Sequence, residues 1–261
     1  MTWISFDLDG TILDWPMGHA VIGPLRDALK PEPREAIRAE YRSRYASDDP
    51  VRAFDWDEIH DVVTTRFKLE SFPRILDAAE RAHWNPNWRY ADTNPALEQL
   101  RAMGHSIAIG TNGLAKYQRV PLEKLGVGYD ALLGPDVTGF AKPHAGFLQA
   151  LPQITSDPDA MNGLVHVGDL LAQDVLAANR AGAKAVWIWR DLPAVWSAAT
   201  PFERAGDPEM HAVIERHLEI ELERDGRMGT PYETPRPDLI VKDLHELVDA
   251  LELELNAVTA R

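Results

Sequence analysis

Five short apolar runs, each ending in a polar or glycine-bearing turn, restrict this chain to a narrow set of folds. They cover residues 3–9 (WISFDLD), 105–111 (HSIAIGT), 164–169 (LVHVGD), 185–190 (AVWIWR) and 238–241 (DLIV). Runs this short and this apolar suit strands buried on both faces of a parallel sheet. Helical patterns lie between them, over 94–103, 116–125, 172–181 and 243–253. The first has Asn94 as its N-cap, Pro95 at its first helical position and Gly104 just past its end. Strand–helix alternation of this kind predicts an α/β fold with a doubly wound parallel sheet.

Two segments break the alternation. Residues 15–92 hold no convincing buried strand but several helical stretches, including 32–45 and 55–82. The second stretch starts at D-W-D-E, where acids in the first turn favour a helix N-terminus. The segment is long enough to form a small helical domain inserted after the first strand, leaving 1–14 and 93–261 as the core. The second exception is 191–236, which separates two strands that a short connection could join. There Asp207 caps a helix with Met210, Val213, Ile214 and Leu218 on one face, ending near Gly226, and 231–237 reads as an extended return. With ten acidic and five basic residues, this insert is expected either to wall a pocket or form a subunit contact, or simply to pack on the core.

Chemistry concentrates where the apolar runs end. In open α/β sheets ligands bind outside the carboxyl ends of the strands. The first run ends Asp7-Leu8-Asp9-Gly10-Thr11, placing two carboxylates one residue apart at a strand tip. One can attack as a nucleophile, and the other can protonate a leaving oxygen and later accept a proton from water. Thr111, Asn112 and Gly113 follow the second run, where a hydroxyl and successive N–H groups can hold an anion. Lys142-Pro143 precedes a helical pattern and can bring an ammonium to the same place. Gly168-Asp169, followed by Asp174, adds hard oxygen ligands without His or Cys, the donor set that selects Mg²⁺.

FDLDGT, TNG, K-P and GDLLAQD, in this order, resemble the four motifs of the haloacid dehalogenase-like hydrolase superfamily. The resemblance covers about 1–14 and 95–190, plus the last strand and helix. It implies a Rossmann-like sheet, Mg²⁺ and an aspartyl-phosphate intermediate. It implies Asp7 as nucleophile and metal ligand, and Asp9 as general acid/base that also ligates Mg²⁺ through its backbone carbonyl. Thr111 would bind the phosphoryl group in a loop shaped by Asn112 and Gly113. Lys142 would neutralise charge, Asp169 would ligate Mg²⁺, and Asp174 would be a ligand or its support. Finer features, including Gln118 after TNG and T-G-F-x-K-P at 138–143, resemble the pyrimidine 5′-nucleotidase-like branch.

Asp9 and the Asp169/Asp174 pair favour phosphate chemistry over dehalogenation, which needs neither a leaving-oxygen acid nor Mg²⁺. The first and second motifs are 102 positions apart (111 − 9), so the cap belongs between them. Helical caps there close over small soluble substrates, and His19, Arg42, Arg44 and Trp56 are the cap residues proposed to meet one. The expected partner is a small phosphorylated metabolite, with a nucleoside monophosphate as one option. A sugar-phosphate mutase or phosphotransferase would share every catalytic residue, whereas a non-catalytic scaffold should have lost a motif carboxylate. Lys and Arg number 27 against 41 Asp and Glu, a net charge of −14, which disfavours nucleic-acid polymers and anionic membranes. The absence of Cys excludes a thiolate mechanism. With no signal-like N-terminus or apolar span, a cytoplasmic protein is expected, as monomer or homodimer.

Overall fold

The computed structural model describes residues 2–47, 49–225 and 232–259; Gly226 and Pro231, invoked above for the insert, lie outside them. Six strands form one parallel sheet: β1 (Trp3–Phe6), β2 (Ser106–Gly110), β3 (Ala131–Leu133), β4 (Val165–Gly168), β5 (Lys184–Ile188) and β6 (Leu239–Val241). Their spatial order is β3-β2-β1-β4-β5-β6. β3 is not among the five apolar runs: it is a three-residue edge strand whose A-L-L carries no β-branched residue and sits between turn signals. It pairs with β2 from Ala108↔Ala131 to Gly110↔Leu133. β1 lies between β2 and β4, so the winding direction reverses there, and the carboxyl ends of these strands open a crevice.

Alternate strand residues feed two cores. Ile4, Phe6, Ile107, Ile109, Val186, Ile188, Leu239 and Val241 face one side, under Leu97, Leu100, Leu122 and Leu247 from the helices Thr93–Ala102, Ala115–Lys124 and Leu244–Thr259. Trp3, Ala108, Trp187 and Ile240 face the other. The insert covers that second side. Its helix Pro208–Arg224, N-capped by Asp207, buries Met210, Ile214, Leu218 and Leu222 against the sheet, each burial worth about 1.5–3 kcal/mol. A shorter helix, Pro201–Gly206, precedes it behind a Thr200/Glu203 capping box that the sequence reading overlooked.

A helical cap is inserted between β1 and the helix Thr93–Ala102, with Pro31–Tyr45, Trp56–Phe67 and Ile75–Arg81 as its main helices. The single helix expected over 55–82 is therefore two. Lys68 turns left-handed (φ 53°) and closes the first, while Pro73 lacks the N–H needed to continue and disfavours helix at Phe72. Asp55 caps the first, accepting from Glu58 N at 3.2 Å. The helix expected from Asn94 begins instead at Thr93, with Asp92 at the N-cap position. Thr93 Oγ1 donates to Ile12 O at 2.8 Å, which places this turn against the first loop. The chain's two crossings into and out of the cap run side by side: Asp14 N donates to Trp88 O at 2.7 Å and Tyr90 N to Ile12 O at 3.3 Å. Among the described residues, no helix is long and apolar enough to cross a membrane.

Candidate active site

The loops after β1, β2 and β4 converge on a buried ammonium. Lys142 Nζ donates to Asp7 Oδ1 at 2.5 Å, to Asp174 Oδ1 at 2.5 Å and to Gly110 O at 2.8 Å. Three donors thus meet three acceptors, and Lys142 is 2% exposed. Burial acts against its charge, but Asp174 and Asp7 more than offset this and hold it protonated. Asn112 fixes the backbone that carries it: Lys142 N donates to Asn112 Oδ1 at 2.7 Å, and Asn112 Nδ2 donates to Lys142 O at 3.2 Å and Gln173 Oε1 at 2.8 Å. Thr111 Oγ1 accepts from Gly113 N at 3.1 Å. Asp136 braces the following helix, accepting from Ala115 N and Lys116 N at 2.6 and 3.0 Å.

The carboxylates differ in electrostatic state. Burial raises Asp7, against the opposing pull of Lys142. Burial, then the neighbouring Asp7 charge, pushes Asp9 up to about 8, so metal-free Asp9 keeps its proton at neutral pH. Asp169 is raised by burial and by Asp7 and Asp174. Asp174 goes the other way: burial would raise it, but Lys142 and His166 hold it at about 2. His166 Nε2 lies 3.2 Å from Asp174 Oδ1 and its Nδ1 lies 3.1 Å from Ser5 Oγ. An ionised carboxylate only accepts, so Nε2 carries the proton and the Ser5 hydroxyl donates to Nδ1.

Close packing sets these positions. Gly10 adopts φ 86°, and a Cβ there would lie 2.3 Å from Asp169 Oδ2. A Cβ on Gly168 would lie 2.2 Å from Asp174 Cγ. Gly10 thus lets the Asp169 carboxylate approach the first motif's backbone, and Gly168 lets Asp174 fold back onto the start of its own motif. Asp7, Asp169 and Asp174 each offer an oxygen within 4.8 Å of the others. Asp9 Oδ1 and Asp169 Oδ1 are buried with no hydrogen-bond partner among the described residues. Such orphaned oxygens are costly without a compensating charge, and an all-carboxylate donor set fits a hard cation. The Asp9 side chain is not one of the three clustered carboxylates. Asp174 spends Oδ1 on Lys142 and His166, and its Oδ2 accepts from Leu170 N at 3.0 Å.

The structure thus brings Asp7, Lys142, Asp169 and Asp174 together, with Thr111, Asn112 and Gly113 on the adjoining loop. The four cap residues divide. His19 stands near the first loop, 3.7 Å from Asp14 Oδ2 and stacked on Trp88. Arg44 is spent inside the cap, where Glu40 (2.8 Å), Glu58 (3.2 Å) and the Arg52 carbonyl (3.1 Å) occupy it. Trp56 stacks on Tyr41 within the cap's aromatic cluster, and Arg42 lies exposed on the helix Pro31–Tyr45. Arg44 and Trp56, expected to meet substrate, are engaged by ion pairing and packing inside the cap. Sequence reasoning missed Ser5 and His166, whose signal was a polar residue inside an otherwise apolar strand. A surface cavity of about 600 Å³ lined by Thr2, Arg101, His105 and Asp130 lies at the opposite, N-terminal edge of the strands and holds none of these groups.

A doubly wound parallel sheet with a helical cap after its first strand and carboxylates at the strand tips defines a capped Rossmann-like scaffold. A family model described as haloacid dehalogenase-like hydrolase matches residues 1–182, and the chain belongs to this family. The chain is 31% identical over 204 residues to a glyceraldehyde 3-phosphate phosphatase of Methanopyrus kandleri, covering 72% of this chain and 83% of that protein. It is 37% identical over 97 residues to a ribulose-1,5-bisphosphate 5-phosphatase of Halopiger xanaduensis, covering 36% of this chain and 40% of the other. Among solved structures, a phosphatase of the family from Thermococcus onnurineus superposes with a TM-score of 0.62 at 25% identity, covering 96% of this chain and 98% of its own.

Proposed function

We propose that this chain is a Mg²⁺-dependent phosphatase that hydrolyses a small sugar-phosphate monoester. The observation that carries the reading is the placement of two carboxyls one residue apart at the tip of β1, the first of them against a buried ammonium. Asp7 is held by the Lys142 ammonium, while Asp9, two residues on, keeps its proton at neutral pH. Asp7 attacks phosphorus and forms an acyl phosphate as the ester oxygen leaves with the proton from Asp9. Asp9, now ionised, takes a proton from water as that water attacks phosphorus and frees Asp7. Lys142 and the Thr111–Gly113 loop supply the positive charge and N–H donors for the phosphoryl oxygens, since this chemistry is mainly positioning and electrostatics. Asp7 and Asp169, with Asp174 as ligand or support, would hold Mg²⁺, which supplies Lewis-acid screening between nucleophile and phosphate.

The substrate class draws on the two relatives named for sugar phosphates. They favour a short sugar phosphate over the nucleoside monophosphate suggested by the T-G-F-x-K-P resemblance, and no relative reported above supports the nucleotidase branch. Dehalogenation is disfavoured because it leaves Asp9 without a task. The test is inorganic phosphate release from a panel of sugar phosphates, nucleoside monophosphates and phosphoglycolate, with Mg²⁺ and no acceptor. Release fastest from a sugar phosphate, absent in Asp7→Asn, is the expected result. Isomerisation without release would identify a mutase instead.

A further inference from the structure

The insert does more than cover the sheet, because it sends one carboxylate into the loop that carries Asp169 and Asp174. Glu221 lies on the helix Pro208–Arg224, beside the buried Leu218 and Leu222, and is 8% exposed. Its Oε1 accepts from Leu171 N at 2.9 Å and its Oε2 from Ala172 N at 2.8 Å. These two residues lie between Asp169 and Asp174, at the start of the helical run that continues through Leu176–Ala181. The preceding amide, Leu170 N, is taken by Asp174 Oδ2 at 3.0 Å. Three consecutive N–H groups that a helix start leaves unpaired are therefore all satisfied by carboxylates, one from the loop and two from the insert. Both Glu221 oxygens accept from backbone N–H groups; burial raises its carboxyl to about 7, and these two hydrogen bonds oppose that rise.

We propose that Glu221 is a positioning residue for divalent-cation binding, holding the Leu170–Ala172 turn so that Asp169 and Asp174 are fixed before the cation arrives. The placement accounts for a buried acid in an otherwise apolar helix face. That turn presents its N–H groups to a carboxylate on a rigid helix, so Asp169 is not left on a free loop. Glu221 stands behind the Asp7/Asp169/Asp174 group without becoming part of it. Residues supporting a ligand loop in this way commonly change metal affinity by about 10- to 100-fold when replaced.

The inference rests on the reading of Asp169 as a metal ligand, and the experiment separates the two. Mg²⁺ alone is titrated by calorimetry into the 261-residue chain, as wild type, Glu221→Gln, Asp169→Asn and Leu218→Ala. Glu221→Gln is expected to weaken Mg²⁺ binding about 10-fold or more. In turnover it should raise the Mg²⁺ concentration for half-maximal rate by a similar factor, with kcat at saturating Mg²⁺ within about threefold of wild type. Leu218→Ala, which loosens the same helix but leaves the carboxylate, should lower the melting temperature and keep Mg²⁺ affinity. Glu221→Asp, which retains charge but withdraws it by one methylene, should also weaken binding and serves if the Gln variant does not fold. A folded Glu221→Gln or Glu221→Asp protein that binds Mg²⁺ within twofold of wild type overturns the proposal. Equal losses in Leu218→Ala and Glu221→Gln would also overturn it, because the effect would then be general packing. If wild type binds no Mg²⁺, or Asp169→Asn binds it unchanged, the metal reading itself fails.

Discussion

Lys142 places its ammonium 2.5 Å from Asp7 Oδ1, with the lysine side chain 1% and the aspartate 10% exposed. The same nitrogen serves Asp174, which is equally withdrawn from water. Removing one partner of a buried pair leaves an uncompensated charge and costs about 3–5 kcal/mol. Lys142→Met is therefore expected to destabilise the metal-free protein by about that amount in urea unfolding, and to lower turnover at least about 100-fold. Adding Asp7→Asn should recover part of the stability and none of the activity, since it removes one of the two stranded carboxylates. Additive losses in the double variant would show that the two groups do not interact.

Asp9 predicts how stability varies with pH. Its carboxyl has an ordinary value of 3.8 and is raised to about 8 in the fold, by burial first and then by Asp7. A group that binds its proton more tightly in the native state stabilises most below its unfolded value, and that contribution declines as pH rises toward the folded value. In EDTA the wild-type protein should thus lose stability between about pH 5 and pH 8, by up to about 1.4 kcal/mol per pH unit for this one proton. Asp9→Asn should reduce that slope by about one proton's share, leaving the part due to Asp7 and Asp169, which burial also raises. Thermal melts of both proteins across this range give the comparison, and an unchanged slope in Asp9→Asn would place the dependence on another group.

The cap and core are joined by a polar contact that removal of a single hydroxyl can test. The Tyr117 hydroxyl, on the helix that follows the Thr111–Gly113 loop, donates to Asp55 Oδ1 at 2.8 Å, while Lys116 Nζ lies 2.8 Å from Asp55 Oδ2. Burial, then the hydrogen bond to Asp55, raises the Tyr117 phenol far above its ordinary value, so it remains a donor. Tyr117→Phe should cost about 1–3 kcal/mol. The loss should appear as faster amide exchange in the cap helix Trp56–Phe67, with β1, β2 and β4 unaffected. Uniformly faster exchange would mean that the contact supports the whole fold.

Arg204 anchors the insert from within. Its side chain is fully buried and donates to Glu246 at 2.6 and 2.9 Å, to Ile240 O at 3.0 Å and to Trp196 O at 3.0 Å. Arg204→Met is expected to lower stability by about 3 kcal/mol or more, leaving Glu246 with only the Lys242 amide as partner and the Ile240 and Trp196 carbonyls without theirs. Arg204→Met with Glu246→Leu should restore much of it. Urea titrations of the single and double variants measure both quantities.

The parts legible in sequence are those governed by local pattern. The strand runs ending at Asp7, Thr111 and Asp169 announce themselves because burial on both faces demands unbroken apolar residues. The glycines at 10 and 168 mark places where backbone must approach a carboxylate. Less legible were features that depend on distant partners. Nothing local shows that Arg44 is paired within the cap, that Arg204 meets Glu246 across 42 positions, or that Glu221 reaches Leu171 across 50. β3 was missed because edge pairing with β2 makes a strand of three residues that have little strand propensity of their own.

The side-by-side crossings at Asp14 and Trp88 make the cap a cassette. Its two ends leave and rejoin the sheet within one hydrogen bond of each other, so a replacement lid has to match only this seam and the core face of Leu114, Tyr117 and Val120 on which the cap packs. A lineage built this way can diversify what it admits by remodelling or grafting the lid while the carboxylates and Lys142 stay where they are. For protein engineering, the same seam marks where a foreign cap should be spliced.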